Sequence, residues 1–567
     1  MKSVKLKVFM LFALVFGFAV QVSAQQIPAG LCFDIINGKS VTITGYRGDA
    51  ETLNIPERIQ GLPVTAIGNS AFWCCRNFKS ITLPSSVTSI GNRAFSSCES
   101  LISIIIPSSV TSIGDAVFWG CVSLTNITLP HSVESIGSEV FSSCGSLTSI
   151  TVDRQNFAYA SIDGVLFNKT IRTIIAYPAG KNIETYVIPS SVTSIGDYAF
   201  QYCRSLTSII VPSSVTSIGE GAFDDCSSLT SITLPSSVTS IGRGAFSECS
   251  SLTNIIIPSS VTSIEESLFF FCDSLVSITI PSSVTSIGDR AFWGCKSLTS
   301  ITIPSSVTVI GYAAFYCCES LTSVTISFSV TSIGISAFYY CGSLTSITIP
   351  SSVTSIGECA FFHCGSLTSI TVDSRNPAYT SINGVLFDKT LQTIIAYPAG
   401  KDAGTYAIPS SVTSIGVGAF GGCGTLTSII IPSSVTSIGE AAFAGCSGLT
   451  SIIIPYSVTS IERDAFSYCT SLENITIPSS VTVIGEGSFC YCESLTNITI
   501  PPSVRSIERD AFFYCTSLES ITIPSSVTSI GYEAFEGCDR LTSVSLSRRT
   551  EIERNTFPDS THIKYRD

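Results

Sequence analysis

The sequence predicts a β-rich solenoid of about 18 stacked coils, each about 23 residues long and ending in a short helical turn. Two observations predict this fold. A 23-residue unit recurs eighteen times between Cys75 and Cys538 in unbroken register, apart from two insertions. Each unit has only eight regularly apolar positions, which one isolated coil cannot bury, so neighbouring coils have to stack. At 4.8 Å per coil, the stack would form a rod or an arc on the order of 100 Å long.

One unit, Leu206 to Ser228, shows how each element is predicted. The spacing L-x-x-I-x-V contains the period-two step of a short strand, and Pro212, which has no amide hydrogen to donate, suits its end. Val215 and Ile218 indicate a second extended segment. Phe223 and Cys226 are three residues apart, which indicates a single helical turn. The inward positions are Leu206, Ile209, Val211, Val215, Ile218, Ala222, Phe223 and Cys226.

Two positions near the helical turn show what the packing requires. Phe is present in all eighteen units, from Phe72 to Phe535, which predicts a continuous buried row of rings. Gly precedes the Ala-Phe pair in fifteen units, but Glu265, Glu462 and Glu508 take its place in the others. Glu rarely adopts positive φ, so we expect this position to serve close packing or a mild turn preference instead of a left-handed backbone.

The recurring text ITIPSSVTSIGxxAFxxCxSLTS, which runs nearly without a break from Cys75 to Cys538, resembles the BspA-like leucine-rich repeat family, also called the Treponema pallidum type. The resemblance implies a right-handed leucine-rich repeat solenoid with a parallel β-sheet on its concave face. It also implies a secreted or surface protein, because members of the family are commonly exported. Several of them adhere to host matrix proteins or to other cells.

Residues 1–24 are predicted to be a secretory signal. Lys2, Lys5 and Lys7 precede an apolar run from Val8 to Val20, and small residues follow up to Ala24. This order is typical of a signal peptide. A retained membrane anchor is the alternative, but about 13 apolar residues are fewer than the roughly 20 that a span needs. We therefore expect a secreted or cell-surface protein without a transmembrane span after cleavage.

The remaining boundaries follow from interruptions of the repeat. Residues 25–56 are predicted as an N-terminal β cap, 57–546 as the solenoid, and the charged segment 547–567 as a polar C-terminal cap. Two similar insertions form enlarged β coils near 151–188 and 371–408, with hairpin turns at Asp163-Gly164 and Asn383-Gly384. Each insertion is either a binding loop or a spacer that alters curvature, and their similarity favours the spacer.

Composition and cysteine spacing restrict the chemistry. A formal charge of −12 argues against a nucleic-acid binder. Eighteen of the 23 cysteines recur once per coil. Zinc needs four convergent ligands, which a linear row does not offer, and parallel side chains suit disulfides poorly. Buried free thiols are therefore favoured, although export keeps disulfides open. We expect no metal and no cofactor.

Aromatic residues at variable positions form the candidate partner-binding site. The residue after the recurring Phe is aromatic in five successive coils, and three aromatic or histidine residues flank this row. Stacked at coil spacing, the row would be an exposed ridge about 20 Å long. The alternative is that these rings only cover one another. The ridge comprises Phe270, Phe271, Trp293, Tyr316, Tyr339, Tyr340, Phe362 and His363, and a second stripe comprises Tyr468, Tyr491 and Tyr514.

Three function classes remain. The first is a secreted or cell-surface binding protein, an adhesin for protein, cell or host-matrix contact, which the export signal, the repeat and the resemblance favour. The second is a structural or assembly protein of the cell envelope, for which uniform Ser and Thr faces would be suited. An enzyme is disfavoured because His131, His363 and His562 lie far apart and no catalytic grouping accompanies them.

Overall fold

The computed structural model describes residues 27–401 and 404–566, so the predicted signal at 1–24 lies outside the described residues. All 49 elements assigned in that part of the chain are β-strands. None of the described residues forms a helix of the length and hydrophobicity that would cross a bilayer. The described residues fall into two compact units: 27–171 with 176–181, and 172–175 with 182–566.

The expected helical turn is wrong, because two residues around each recurring Phe have positive φ. The residues two before and two after the Phe have positive φ in all eighteen coils, as do Gly221 (54°) and Asp225 (50°) around Phe223. A helix needs negative φ throughout. Instead, overlapping turns form, in which Asp224 N–H donates to Gly221 O and Cys226 N–H donates to Phe223 O, at 3.0 and 3.1 Å.

This segment, from two residues before the Phe to two after it, is called the Phe segment below. Within this segment every second amide points at the next coil. Gly221, Phe223 and Asp225 donate to carbonyl oxygens 22 residues further on, at 2.8–2.9 Å. Each regular coil therefore contributes three hydrogen bonds here, in addition to those of its strands.

In the first unit, two parallel ladders join successive coils. The long ladder contains Thr52–Asn54, Ser80–Thr82, Ser103–Ile105, Asn126–Leu129 and Ser149–Val152. The short ladder contains Leu62–Ile67, Ser89–Ile90, Ser112–Ile113 and Ser135–Ile136. Leu31–Ile36 and Ser40–Tyr46 form an antiparallel hairpin whose second strand starts the short ladder, and Arg58–Ile59 pairs with Leu62–Ile67. Tyr159–Ile162 and Val165–Asn168 form the first insertion hairpin.

The second unit contains its own long and short ladders, with a register of 23 residues wherever regular coils adjoin, as for Ser208 and Ser231. The long ladder contains Thr185–Val187, Ser208–Ile210, Ser231–Thr233, Asn254–Ile256, Ser277–Thr279, Ser300–Thr302, Ser323–Thr325, Ser346–Ile349, Ser369–Val372, Thr405–Ala407, Ser428–Ile430, Ser451–Ile453, Asn474–Thr476, Asn497–Thr499, Ser520–Thr522, Ser543–Ser547 and His562–Arg566. The short ladder contains Ser194–Ile195, Ser217–Ile218, Ser240–Ile241, Ser286–Ile287, Val309–Ile310, Ser332–Ile333, Ser355–Ile356, Ser414–Ile415, Ser437–Ile438, Ser460–Ile461, Val483–Ile484, Ser506–Ile507, Ser529–Ile530 and Glu551–Ile552, and Thr173–Ala176 pairs with its first strand. The second insertion contributes Tyr379–Ile382, Val385–Asp388 and Thr393–Ala396.

The core of each unit is built from the recurring apolar positions. Their Phe rings, called the Phe row below, stack nearly parallel: the centroids of Phe72 and Phe95 are 5.2 Å apart, as are those of Phe292 and Phe315. The glycine that precedes fifteen of the Phe segments packs closely against earlier residues, and a Cβ on Gly311 would be 2.6 Å from the backbone of Gly288. None of these glycines has positive φ, so the close-packing expectation is confirmed.

Strands at the insertions and at both ends make the number of coils larger than the predicted 18. The long ladder alone has five strands in the first unit and seventeen in the second, within the described residues. The segment 547–567, predicted as a polar cap, continues both ladders through Glu551–Ile552 and His562–Arg566. Its Phe557 ring stacks on Phe535 at 5.1 Å, which adds a further ring to the Phe row.

Each insertion is built on a buried asparagine whose hydrogen bonds are all made within the fold. The Asn376 side-chain amide donates to Pro350 O and Val353 O at 2.8 and 2.9 Å. Its carbonyl oxygen accepts from the amides of Ala378 and Tyr379. The hairpin then turns at Asn383 and Gly384 with positive φ at both residues, which is the backbone of a type I′ turn.

Candidate functional site

The aromatic ridge is present as a continuous stack in the second unit. Consecutive ring centroids are 5.8 Å apart from Phe270 to Trp293, 4.1 Å to Tyr316, 4.6 Å to Tyr339 and 4.8 Å to Phe362. The last three of these pairs are close to parallel. The residue after each recurring Phe is thus held one coil above its equivalent, so the ladder geometry itself aligns the rings.

Stacking leaves mostly ring edges at the surface. Phe270, Trp293, Tyr316 and Tyr339 are half-buried because each ring face covers its neighbour. Phe362 departs from the expected exposure, since only 5% of it is accessible. A Cβ on Gly421 would lie 2.1 Å from the Phe362 ring, so the ring fills space that this glycine leaves open. Phe362 is therefore the last ring of the ridge, and it has little accessible surface for contact with a partner.

The three flanking residues share the register two after the recurring Phe, where φ is positive. Phe271 packs edge-on against Phe270, with centroids 4.5 Å apart. Tyr340, 43% exposed, stacks on His363 at 4.5 Å. Left-handed backbone costs a non-glycine residue on the order of 1–2 kcal/mol. Glycine occupies the same register elsewhere, as at Gly294 and Gly422, so the fold does not require an aromatic residue there.

The second stripe lies entirely in this positive-φ register. Tyr468, Tyr491 and Tyr514 stack at 4.7 and 5.1 Å. Tyr468 and Tyr514 are 53% and 42% exposed, and the middle ring is half-buried between them. The stripe is therefore a more accessible surface than the ridge.

Charges lie at one end of the ridge. The Arg290 guanidinium lies 5.9 Å from the Trp293 ring centroid and 5.4 Å from that of Tyr312. Glu266 pairs with Arg243 at 3.0 Å and approaches Arg290 at 3.9 Å. Along the ridge, burial raises the pKa of Tyr316 and Tyr339, and burial lowers the pKa of His363. The phenols therefore stay protonated at neutral pH and offer O–H donors at the ring edges.

The cysteine row lies on the inner side of the Phe segment. All cysteines of the described residues are free thiols, and fifteen of the recurring ones donate to a Phe carbonyl 26 residues earlier at 3.1–3.3 Å. Burial raises the pKa of Cys144 and of Cys364 to about 12. Among the described residues, no group of three or more His, Cys, Asp or Glu side chains is placed to hold a metal ion.

The structure also shows an exposed apolar patch that the sequence analysis missed. Ile430 and Ile453 occupy neighbouring outward positions of the long ladder, and Ile453 and Tyr456 are 72% and 77% exposed. They line a groove of about 670 Å³. Most coils have Thr at the outward position, as at Thr476 and Thr499. Comparing that single position from coil to coil would have revealed the patch.

Stacked 23-residue coils with two parallel ladders and a buried row of Phe rings define a leucine-rich repeat solenoid. The chain belongs to the BspA-type leucine-rich repeat family. The family model, described as a BspA type leucine rich repeat region in six copies, matches residues 65–179, 175–299, 262–393, 399–512 and 482–566. The resemblance drawn from the repeat text is thereby confirmed.

Solved structures include similar proteins. A leucine-rich repeat protein from Eubacterium ventriosum is 26% identical over 55% of this chain and 93% of its own, with a TM-score of 0.47. A leucine rich cell surface protein from Faecalibacterium prausnitzii is 26% identical over 92% and 94%, with a TM-score of 0.33. The T. pallidum leucine rich repeat protein is 32% identical over 40% and 91%, with a TM-score of 0.27. No curated protein matches the chain significantly.

Proposed function

We propose that this chain is an exported binding protein, an adhesin that contacts a protein on another cell or in the host matrix. Membership of the BspA-type family supports a protein-binding role. The predicted signal at residues 1–24 supports a secreted or cell-surface location. Catalysis is not part of the proposal, since the geometry of the described residues offers binding surfaces and no catalytic grouping.

The observation that carries the proposal is the set of aromatic residues at positive φ. Tyr340, Tyr468, Tyr491 and Tyr514 are held in a backbone conformation that glycine adopts more easily. Because this backbone recurs in every coil and glycine occupies the position in several of them, the fold itself does not require three successive tyrosines there. Rigid aromatic side chains with polar tips are the residues that protein interfaces use as anchors.

The direct test is binding of the purified full chain to a panel of extracellular-matrix proteins and to whole cells. Saturable binding to one partner is the expected result. Concentration-dependent filaments without such binding would instead favour the second candidate, an assembly protein of the cell envelope, and would contradict the adhesin.

The ridge is tested by the double variant Trp293→Ala/Tyr316→Ala. We expect it to remain folded and to bind the partner more than about fivefold more weakly, because truncation of central aromatic anchors typically costs more than 1 kcal/mol. Trp119→Ala is the matched control: Trp119 has the same register, and the equivalent residues of the neighbouring coils are Ser96 and Ser142. Equal affinity of the double variant and the control would exclude the ridge.

A further inference from the structure

The ladder of hydrogen bonds between Phe segments is interrupted beside the second insertion. In the preceding coil, Ser336, Phe338 and Tyr340 donate their amides to Glu358, Ala360 and Phe362 at 2.9 Å. In the next coil only the His363 amide reaches across the insertion, to Gly421 O at 3.3 Å. In the part of the chain that the structure describes, the amides of Cys359 and Phe361 donate to no acceptor.

The insertion explains why these two amides have no acceptor. Its Tyr397 inserts between the coils and donates its own amide to Ala419 O at 2.7 Å. That carbonyl is the acceptor that Phe361 would use if the coils followed one another directly. A wedge-shaped gap therefore opens between the Phe segments around Cys359 and Val417, while the coils stay in contact at His363.

This wedge contains a cavity of about 260 Å³. Its lining includes Cys359, Ala360, Phe362, Ile395, Val417 and Gly418. One buried water needs only about 10–15 Å³ of such space, so the cavity is large enough for a chemical group of considerable size. Unpaired amides beside a cavity cost free energy comparable to a lost hydrogen bond, and an acceptor placed there would recover it.

The charges around the wedge select the kind of acceptor. Burial, together with the negative charges of Glu358 and Glu440, raises the pKa of the Cys359 thiol to about 11. The same two carboxylates would repel an anion. A neutral carbonyl oxygen is therefore a better partner for the two amides than a carboxylate or a phosphate group.

We propose that the wedge beside the second insertion binds a short uncharged polypeptide segment of a partner, whose main-chain carbonyl oxygens accept from the amides of Cys359 and Phe361. Such a segment would supply the carbonyls that the next Phe segment supplies in regular coils, as an added strand does at a sheet edge. Phe362 is the last ring of the ridge and also lines the wedge. A partner that lies along the ridge would therefore reach the wedge. In this respect the inference rests on the proposed binding function.

The test is amide hydrogen exchange of the full chain, resolved to single residues. Without ligand, the Cys359 and Phe361 amides should exchange at least about tenfold faster than those of Ser336 and Phe338 one coil earlier. The uncharged peptide N-acetyl-Gly-Ala-Gly-amide should slow both amides, and sodium acetate should not. Val417→Trp, which fills the wedge, should abolish this protection, and the matched variant Ile335→Trp on a regular coil should retain it.

Slow exchange of both amides in the free protein would overturn the inference, because it would mean that they already have partners. Fast exchange that neither probe slows would also overturn the inference, because it would indicate that water occupies the cavity. Protection by acetate would favour an anion site instead. These results need no cell or matrix partner, so failure here is distinguishable from failure of the adhesin proposal.

Discussion

Two rows of stacked aromatic rings run side by side through the second unit, and they differ in what holds them. The Phe row is buried and recurs in every coil, with Phe292 and Phe315 stacked at 5.2 Å. One residue further along the chain, Trp293 and Tyr316 stack at 4.1 Å, but this second row covers only five coils. Most coils fold with a small or polar residue at its position, so packing requires the first row and merely permits the second.

The buried cysteine row on the inner side of the Phe segment should contribute most to stability. Raising the pH should therefore give the largest change in the free energy of unfolding. Recurring cysteines such as Cys144 and Cys364 have pKa values raised by burial, so the folded state keeps these protons while unfolded thiols ionise above about pH 8.5. Because the unfolded state then binds fewer protons, the free energy of unfolding should fall by about 1.4 kcal/mol per pH unit for each such thiol. The fall should begin near pH 9 and continue towards pH 12.

Urea unfolding under reducing conditions at a series of pH values measures this effect. Cys341→Ala, which removes one buried thiol, should make the decline shallower by one proton. A free energy of unfolding that stays constant up to pH 10.5 would show that the thiols ionise equally in both states, and it would contradict their burial.

A pair of neighbouring substitutions compares the two rows directly. Phe315→Ala should cost about 3–5 kcal/mol, because it leaves a cavity in the Phe row. Tyr316→Ala loses two stacked neighbours at a half-exposed position and should cost about 1–2 kcal/mol. Chemical denaturation of both variants gives the two values, and equal costs would mean that the ridge is as structural as the Phe row.

Substitutions of two glycines near the same coils test whether neighbouring coils pack closely against each other. Gly311→Ala should destabilise by about 1–3 kcal/mol, because its Cβ would lie 2.6 Å from the Gly288 backbone. Gly342→Ala is the control, since the nearest atom would be Glu319 O at 3.8 Å. The control should be neutral or slightly stabilising. Thermal unfolding checks both variants, and a neutral Gly311→Ala would argue against contact between these coils.

The sequence was sufficient for features that repeat. The spacing of Ile209, Phe223 and Cys226 determined which residues are buried, since each position is constrained in the same way in every coil. The helical turn was predicted wrongly because a three-residue spacing of Phe and Cys fits a helix and two overlapping turns equally well. Only the positive φ of Gly221 and Asp225 distinguishes them, and residues as different as Tyr and Ser also adopt it in other coils.

Features that occur once were harder to predict. The ridge rings were correctly placed in one stack, but the burial of Phe362 depends on Gly421, which is 59 residues away across an insertion. The unpaired amides of Cys359 and Phe361 follow from the position of Tyr397, for which the repeat offers no precedent. The shortened length of the C-terminal segment, which we predict as a polar cap, obscures the equivalence of Phe557 with the recurring Phe.

The central claim is that this fold carries a binding surface that its packing permits but does not require. The most direct measurement determines the free energy of unfolding and the affinity for the identified matrix protein or cell on the same preparation of Trp293→Ala/Tyr316→Ala. The account predicts a folded protein whose affinity falls more than about fivefold while Trp119→Ala binds normally. A variant that binds like the parent, or that loses binding only because it unfolds, would contradict the claim.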